Sequence, residues 1–199
     1  DTNPLFIGST LTSPYYFSFA TAAFFHGLST QASATVYIAT SIGKPRQLIV
    51  RDKEYRLVVQ PAHKFFGAVQ VDAYGSQVIM AGPEKTLVDC LDKPSYAGGI
   101  PEIATMLWRG KARLNWERLA DYAARFRSQA LVQRLGYLAD ILELSLDTSA
   151  RDILLARVGK STCYLGQPSQ WKTGGEYNAT WHIVDNIPRR ELLADTEVH

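Results

Sequence analysis

The apolar positions along this chain change period once, and the change divides the sequence. Up to residue 81 they alternate in short runs, as strands do. After residue 100 they recur every three or four positions, as helices do. Residues 34–40, 46–50, 55–60, 68–73 and 77–81 each read as a strand. Arg51-Asp52-Lys53-Glu54 joins the second to the third, and Tyr74-Gly75-Ser76 joins the fourth to the fifth, so both pairs are predicted hairpins. Short polar connections of this kind predict a mainly antiparallel sheet. One helix precedes the series, over residues 14–28. It is bulky at Phe17, Phe24, Phe25 and Leu28 and small at Ala20, Ala22 and Ala23, with Ser18 as N-cap and Gly27 as the C′ residue. The Phe65-Phe66-Gly67 cluster is expected to plug one sheet edge with a buried aromatic pair.

Residues 81–100 carry the change of period. Pro83 suits a first helical position, where its missing N–H leaves no orphan donor. Glu84 then lies in the first turn, where the helix dipole favours an anion. Leu87, Val88 and Leu91 form the apolar stripe, and Thr86 and Asp89 are placed to reach back to backbone or across to a strand. Pro94 ends the helix, and Gly98-Gly99 must reverse the chain before Pro101, which predicts φ > 0 at one of the two.

Beyond the reversal, a helix begins at residues 101–107 with Trp108 packed beneath it. Asn115 caps a helix over 116–126, striped by Trp116, Leu119, Tyr122, Ala123 and Phe126. Ser128 caps the next, which carries Gly136 mid-helix at a cost of about 1 kcal/mol relative to Ala, a sign of a close helix contact. Residues 149–158 form one more helix. The tail reads as strands at 162–166 and 180–184 around a polar loop at 167–178, with fraying beyond Pro188. The expectation is one α+β effector domain over 1–199: a mainly antiparallel sheet with flanking helices at 14–100, a helical bundle at 101–158, and a short β tail at 159–199.

An apolar share of 46% with 20% charged residues is ordinary for a globular chain. No apolar run approaches the roughly 18 residues that span a bilayer, so no membrane partner is expected. Cys90 and Cys163 lack metal-ligand spacing and predict a reduced, cytoplasmic protein. The net charge of +2 conceals a bias: Arg109, Lys111, Arg113, Arg118, Arg125, Arg127 and Arg134 face only Glu117 and Asp121 in the same stretch. Arg118 and Arg125 are seven apart and share a helical face. The first six of these basic residues are the candidate surface for DNA phosphates or an acidic protein partner.

Candidate catalytic chemistry is sparse. His26, His63, His182 and His199 lack an i, i+4 partner, and Gly174-Gly175 does not precede a helix as a phosphate loop would. No Gly-x-Ser-x-Gly elbow is present. His26 ends a helix, where an imidazole more simply caps carbonyls or fills the core. Asp52, Glu54 and Arg56 leave one alternative, a metal-dependent nuclease-like enzyme, although a hairpin with a charged tip accounts for them more simply. No catalytic residue, cofactor or metal site is expected.

Four stretches together resemble a known family. They are Tyr15-Tyr16 through Ser18 to His26-Gly27-Leu28 with Thr30-Gln31; Pro83-Glu84-Lys85-Thr86-Leu87-Val88-Asp89 followed by Pro94 and Gly98-Gly99; Arg134-Leu135-Gly136-Tyr137-Leu138; and Leu165-Gly166, Gly175, Asn178, Trp181 and Asn186. In this order they resemble the AbiEi-type antitoxins and transcriptional regulators of bacterial abortive-infection toxin–antitoxin systems. The resemblance implies a phage-defence antitoxin that neutralises a nucleotidyltransferase-like toxin and autoregulates its operon. It also implies structural roles for Ser18, His26, Gly27, Glu84, Thr86, Asp89, Gly98, Gly99, Arg134 and Gly136. Family members join an N-terminal winged-helix DNA-binding domain to a C-terminal α+β domain. Nothing before Pro14 is long enough for a winged helix, so the expectation is the C-terminal domain, with DNA read mainly by the absent one.

Overall fold

The computed structural model describes residues 3–198, and its main sheet is built from the predicted strands plus one that the periodicity concealed. Helix α1 (Pro4–Ser9) leads to β1 (Tyr15–Phe17), α2 (Phe19–Phe25), β2 (Thr35–Thr40), β3 (Arg46–Val50), β4 (Lys53–Val59), β5 (Ala68–Ala73) and β6 (Ser76–Ala81). The strand order is β3-β4-β2-β1-β6-β5. Both predicted hairpins, β3–β4 and β5–β6, are antiparallel.

The fold class is α+β as expected, but the sheet is mixed. β2 pairs parallel with β4, and β1 pairs parallel with β6. The hairpin explains the first of these. The chain leaves β2, runs out to β3 at the sheet edge, and returns as β4 in the gap, so β4 shares the direction of β2. The expected single helix over 14–28 is also corrected. Tyr15–Phe17 is a strand between β2 and β6, with Tyr16 and Phe17 fully buried. Sheet pairing on both sides outweighs the aromatic helix pattern of the sequence. The chain passes from strand to helix within two residues, with Phe19 at φ 54°. Gly27 is the C′ residue predicted, at φ 67°: the Leu28 amide donates to Ala23 O at 2.9 Å and Gly27 N to Phe24 O at 3.0 Å, closing a Schellman motif.

Helix α3 (Pro83–Asp92) begins at Pro83, and a short 3-10 turn at Pro94–Ala97 follows. Gly98 and Gly99 both take positive φ, 84° and 92°. Then come α4 (Ile100–Gly110), α5 (Trp116–Arg125), α6 (Gln129–Ile141) and α7 (Thr148–Leu155). Asn115 and Ser128 are N-caps as predicted, their side chains accepting from Arg118 N at 2.9 Å and Leu131 N at 3.3 Å.

The tail is more ordered than its sequence predicts. β7 (Cys163–Tyr164) lies parallel to β9 (Ile183–Asp185), and β8 (Glu176–Asn178), inside the expected polar loop, completes a small sheet. Instead of fraying after Pro188, the chain forms α8 (Arg189–Leu192), where Leu192 and Leu193 are buried. One apolar core lies under the large sheet, around Tyr16, Phe17, Ile38, Tyr55 and Met80. A second unites α3 to α7 with the tail, around Leu87, Leu107, Leu135 and Trp181.

Candidate partner-binding surface and the polar centre beside it

α3 links these cores, and every residue from Glu84 to Leu91 is buried despite four polar or charged side chains. Lys85 and Asp89 are one helical turn apart and form an ion pair at 2.5 Å, with no exposed side-chain surface on either. Desolvation of two charges opposes folding unless donors and acceptors converge on the site. Here they converge on both charges, and Gln60 Oε1 is the network atom left without a hydrogen-bond partner among the described residues. Asp89 Oδ1 also accepts from Gln60 Nε2 at 3.2 Å. Asp89 Oδ2 accepts from Ser18 Oγ at 2.6 Å and from Tyr16 OH at 3.2 Å. Lys85 Nζ makes a second bond, to Tyr16 OH at 2.7 Å. The ammonium also lies 4.8 Å from the ring centroids of Tyr16 and Phe126 and 5.1 Å from that of Phe66.

Burial pushes the Asp89 carboxyl up and pulls the Lys85 ammonium down, while their mutual attraction and the converging hydrogen bonds oppose both shifts. Burial and the neighbouring carboxylate push the Tyr16 phenol well above its ordinary range. Ser18 precedes α2 as expected, but its hydroxyl makes no cap bond; it belongs to Asp89. The centre ties β1, the end of β4 and α3 together, and it is closed to solvent. Sequence reasoning found Ser18 and Asp89 but not Lys85, Tyr16 or Gln60. The available signal was Lys85 four residues before Asp89 on a helix whose other face is apolar.

The remaining motif residues also join elements. Glu84 Oε1 accepts the Asn115 amide at 2.8 Å, anchoring α5 to the start of α3. Thr86 Oγ1 donates to Gly82 O at 2.8 Å. His26 Nε2 lies 2.6 Å from Ala81 O, so that nitrogen carries the proton, and burial holds the imidazole below its ordinary pKa. Arg134 Nη1 donates to Leu91 O at 3.1 Å, placing a cation at the C-terminal end of α3. Gly136 does permit a close approach, but to an indole and not to a helix. A Cβ there would meet the Trp181 ring at 2.3 Å. Trp181 is fully buried, with Nε1 donating to Asp140 at 2.7 Å.

The basic candidates occupy the outer side of the helical half. Arg109 ends α4, Lys111 and Arg113 lie in the α4–α5 connection, Arg118 and Arg125 are on α5, and Arg127 follows it. All six are exposed, and none takes part in an ion pair among the described residues. Arg125 stacks 3.6 Å from the Phe66 centroid, on the ring that also lies beside Lys85. Phe65 and Phe66 do not plug a sheet edge: Phe65 packs on Tyr16, and Phe66 packs on Tyr122 and Phe126. Phe66 therefore separates the buried cation from the exposed one. Trp108 is half-buried and is covered by Lys111, whose Nζ sits 3.1 Å from its ring centroid.

The family model of the AbiEi antitoxin C-terminal domain matches residues 16–141. That span takes in β1 through α6, the whole polar centre and all six basic residues. The chain belongs to the AbiEi antitoxin C-terminal domain family. No curated protein matches it. Among solved structures it is similar to the crystal structure of the RV2827C protein from Mycobacterium tuberculosis. The TM-score is 0.66 at 16% identity, covering 95% of this chain and 68% of that one. At that identity the likeness speaks for the fold alone. It extends past the family match, to the α7 and β7–β9 region of this AbiEi-type domain. No helix among the described residues is long and apolar enough to cross a membrane.

Proposed function

We propose that this chain is the toxin-neutralising part of an antitoxin, that its partner is a nucleotidyltransferase-like toxin, and that it acts by binding rather than by catalysis. The observation that carries the reading is the antitoxin-domain match over residues 16–141. The exposed Arg109, Lys111, Arg113, Arg118, Arg125 and Arg127 support a partner surface of negative potential, which they would steer and orient. Joined to a winged-helix domain, such a chain would link toxin capture to autoregulation of its operon, with bases read by that domain. Any DNA contact made by the present surface would be with phosphates, weak, sequence-independent and lost as salt rises. The setting is the cytoplasm, with no membrane partner.

The nuclease alternative would need acidic side chains converging on a metal. Among the described residues no three His, Cys, Asp or Glu side chains are so placed. Glu54 accepts a hydrogen bond from Thr35 at 2.7 Å, and Asp52 is exposed in the β3–β4 turn. The test is co-expression with the nucleotidyltransferase-like toxin of the same operon, scoring growth and co-purification. Growth should recover, and the two proteins should elute together. Undiminished toxicity beside a soluble, folded chain would overturn the proposal. Cleavage of nucleic acid by the purified chain with a divalent metal would favour the nuclease reading.

A further inference from the structure

Between α1, α2 and β2 lies a cavity of about 330 Å³ whose walls are mostly apolar, formed by Leu5, Phe24, Phe25 and Val36. Ala32 and Tyr74 also line it, and both are exposed. No acidic side chain among the described residues lines it. Most of its polar side chains are satisfied by the protein. Asn3 Nδ2 donates to Ala73 O at 2.7 Å, and its Oδ1 accepts from Leu5 N at 2.9 Å. Thr21 Oγ1 accepts from Tyr37 N at 2.9 Å, Ser33 Oγ accepts from Thr35 N at 3.2 Å, and Thr35 Oγ1 donates to Glu54 at 2.7 Å. Lys53 is the exception. It is half-buried, it joins no ion pair among the described residues, and its Nζ donates to Ser33 O at the long distance of 3.3 Å. A partly desolvated ammonium without a counter-ion therefore stands beside an apolar cavity.

We propose that this cavity binds a small amphipathic monocarboxylate, with its apolar body against Leu5, Phe24, Phe25 and Val36 and its carboxylate on Lys53. The proposal is independent of the partner-binding reading above. A cavity of this volume, apolar with a few placed polar groups, is the usual form of a small-molecule site. One unpaired cation matches one negative charge. A phosphate group calls for more donors, commonly an arginine fork, and the lining holds no arginine. A cationic ligand would be repelled by Lys53, and a neutral one would leave the ammonium uncompensated.

The test titrates the full chain with sodium decanoate below its micellar concentration, by calorimetry. Binding should saturate at a single site and raise the thermal midpoint. Octanoate, shorter by two methylenes, should bind roughly tenfold more weakly. Decyltrimethylammonium, with the same body and the opposite charge, should not bind. Lys53→Met should weaken decanoate about tenfold while leaving decanol unaffected. Because Ala32 is exposed, Ala32→Trp should fill the cavity and abolish binding without lowering the urea midpoint. The proposal is overturned if decanoate does not bind, if decyltrimethylammonium binds equally well, or if both variants bind decanoate like the unaltered chain. It is also overturned if the chain is a dimer that Ala32→Trp converts to a monomer, since a second copy would then cover the cavity.

Discussion

Helices α3 and α5 each carry charged side chains at helical spacing, yet the charges have opposite fates. On α3, Lys85 and Asp89 are sealed between two cores and hydrogen-bonded by Tyr16, Ser18 and Gln60. On α5, Arg118 and Arg125 face outward, and Arg125 lies over the face of Phe66 beside Tyr122. The lesson is that helical periodicity predicts which residues share a face, and the rest of the chain decides whether that face meets water. α3 is buried on its polar side because β1 and the end of β4 arrive there from elsewhere in the sequence. α5 has no such cover. Charges of the first kind specify how the sheet meets the helices; charges of the second remain available to a partner.

The most severe way to break this comparison is to remove half of the buried pair. Asp89→Ala leaves an ammonium without its counter-ion in a closed site, an expected loss of about 3–5 kcal/mol in urea unfolding. Lys85→Met should cost a similar amount. Replacing both together, Lys85→Met with Asp89→Leu, should recover much of the loss, because apolar side chains of similar volume avoid the desolvation penalty. A double variant as unstable as the sum of the singles would contradict the view that desolvation dominates at this site.

Next in size is Gly136→Ala. The added methyl would stand 2.3 Å from the Trp181 ring, and that indole is pinned by Asp140, which Arg151 holds in turn. Overpacking against a fixed aromatic should cost about 1–3 kcal/mol and shift the Trp fluorescence. Helix propensity alone would make the same change stabilising by about 1 kcal/mol, so the sign of the effect separates the two accounts.

The chain reversal between α3 and α4 offers a subtler contrast. Gly98 lies in the left-handed region at φ 84°, ψ 7°, whereas Gly99 lies at φ 92°, ψ 177°. The second is accessible essentially to glycine alone. Gly99→Val should therefore cost more than about 1 kcal/mol, and Gly98→Asn only a few tenths, since Asn tolerates the left-handed region. Equal costs would mean that the conformations are not what the reversal requires.

These positions also mark what the sequence disclosed and what it concealed. Pro83, Pro94 and the glycine pair are local signals, and they placed α3 and its reversal correctly. The hairpins, the N-caps at Asn115 and Ser128, and the C′ residue Gly27 were legible for the same reason. β1 was not, because a strand of three residues is shorter than any periodicity, and its aromatics fit a helix equally well. α1 and α8 are each a turn or two long and depend on packing. The parallel pairings arise from where β3 and β1 sit in the sheet, which is topology rather than composition. At the candidate surface, the six basic residues were visible as a charge bias. The stacking of Lys111 on Trp108 was not, because Trp108 reads as core. Whether an aromatic residue next to a helix end is covered depends on the following loop.

The smallest effect expected on stability is at Arg118, and it sharpens the comparison most. Arg118 is exposed, and its side chain has no ion pair or hydrogen bond among the described residues. Arg118→Glu should change unfolding free energy by less than about 0.5 kcal/mol. Arg125→Glu should cost slightly more, up to about 1 kcal/mol, because the guanidinium leaves the Phe66 face that screens Lys85. Their functional effects should be larger than either. The reversed pair should reduce retention on DNA, and that retention should already be salt-sensitive in the unaltered chain. Toxin rescue is scored separately. If rescue falls with DNA retention, the two arginines belong to a surface shared by both partners. If retention falls and rescue survives, α5 serves phosphate contact and rescue depends on another surface. If neither changes while stability holds, the outward charges of α5 are solvated surface alone. The contrast with α3 would then be one between structural charges and idle ones.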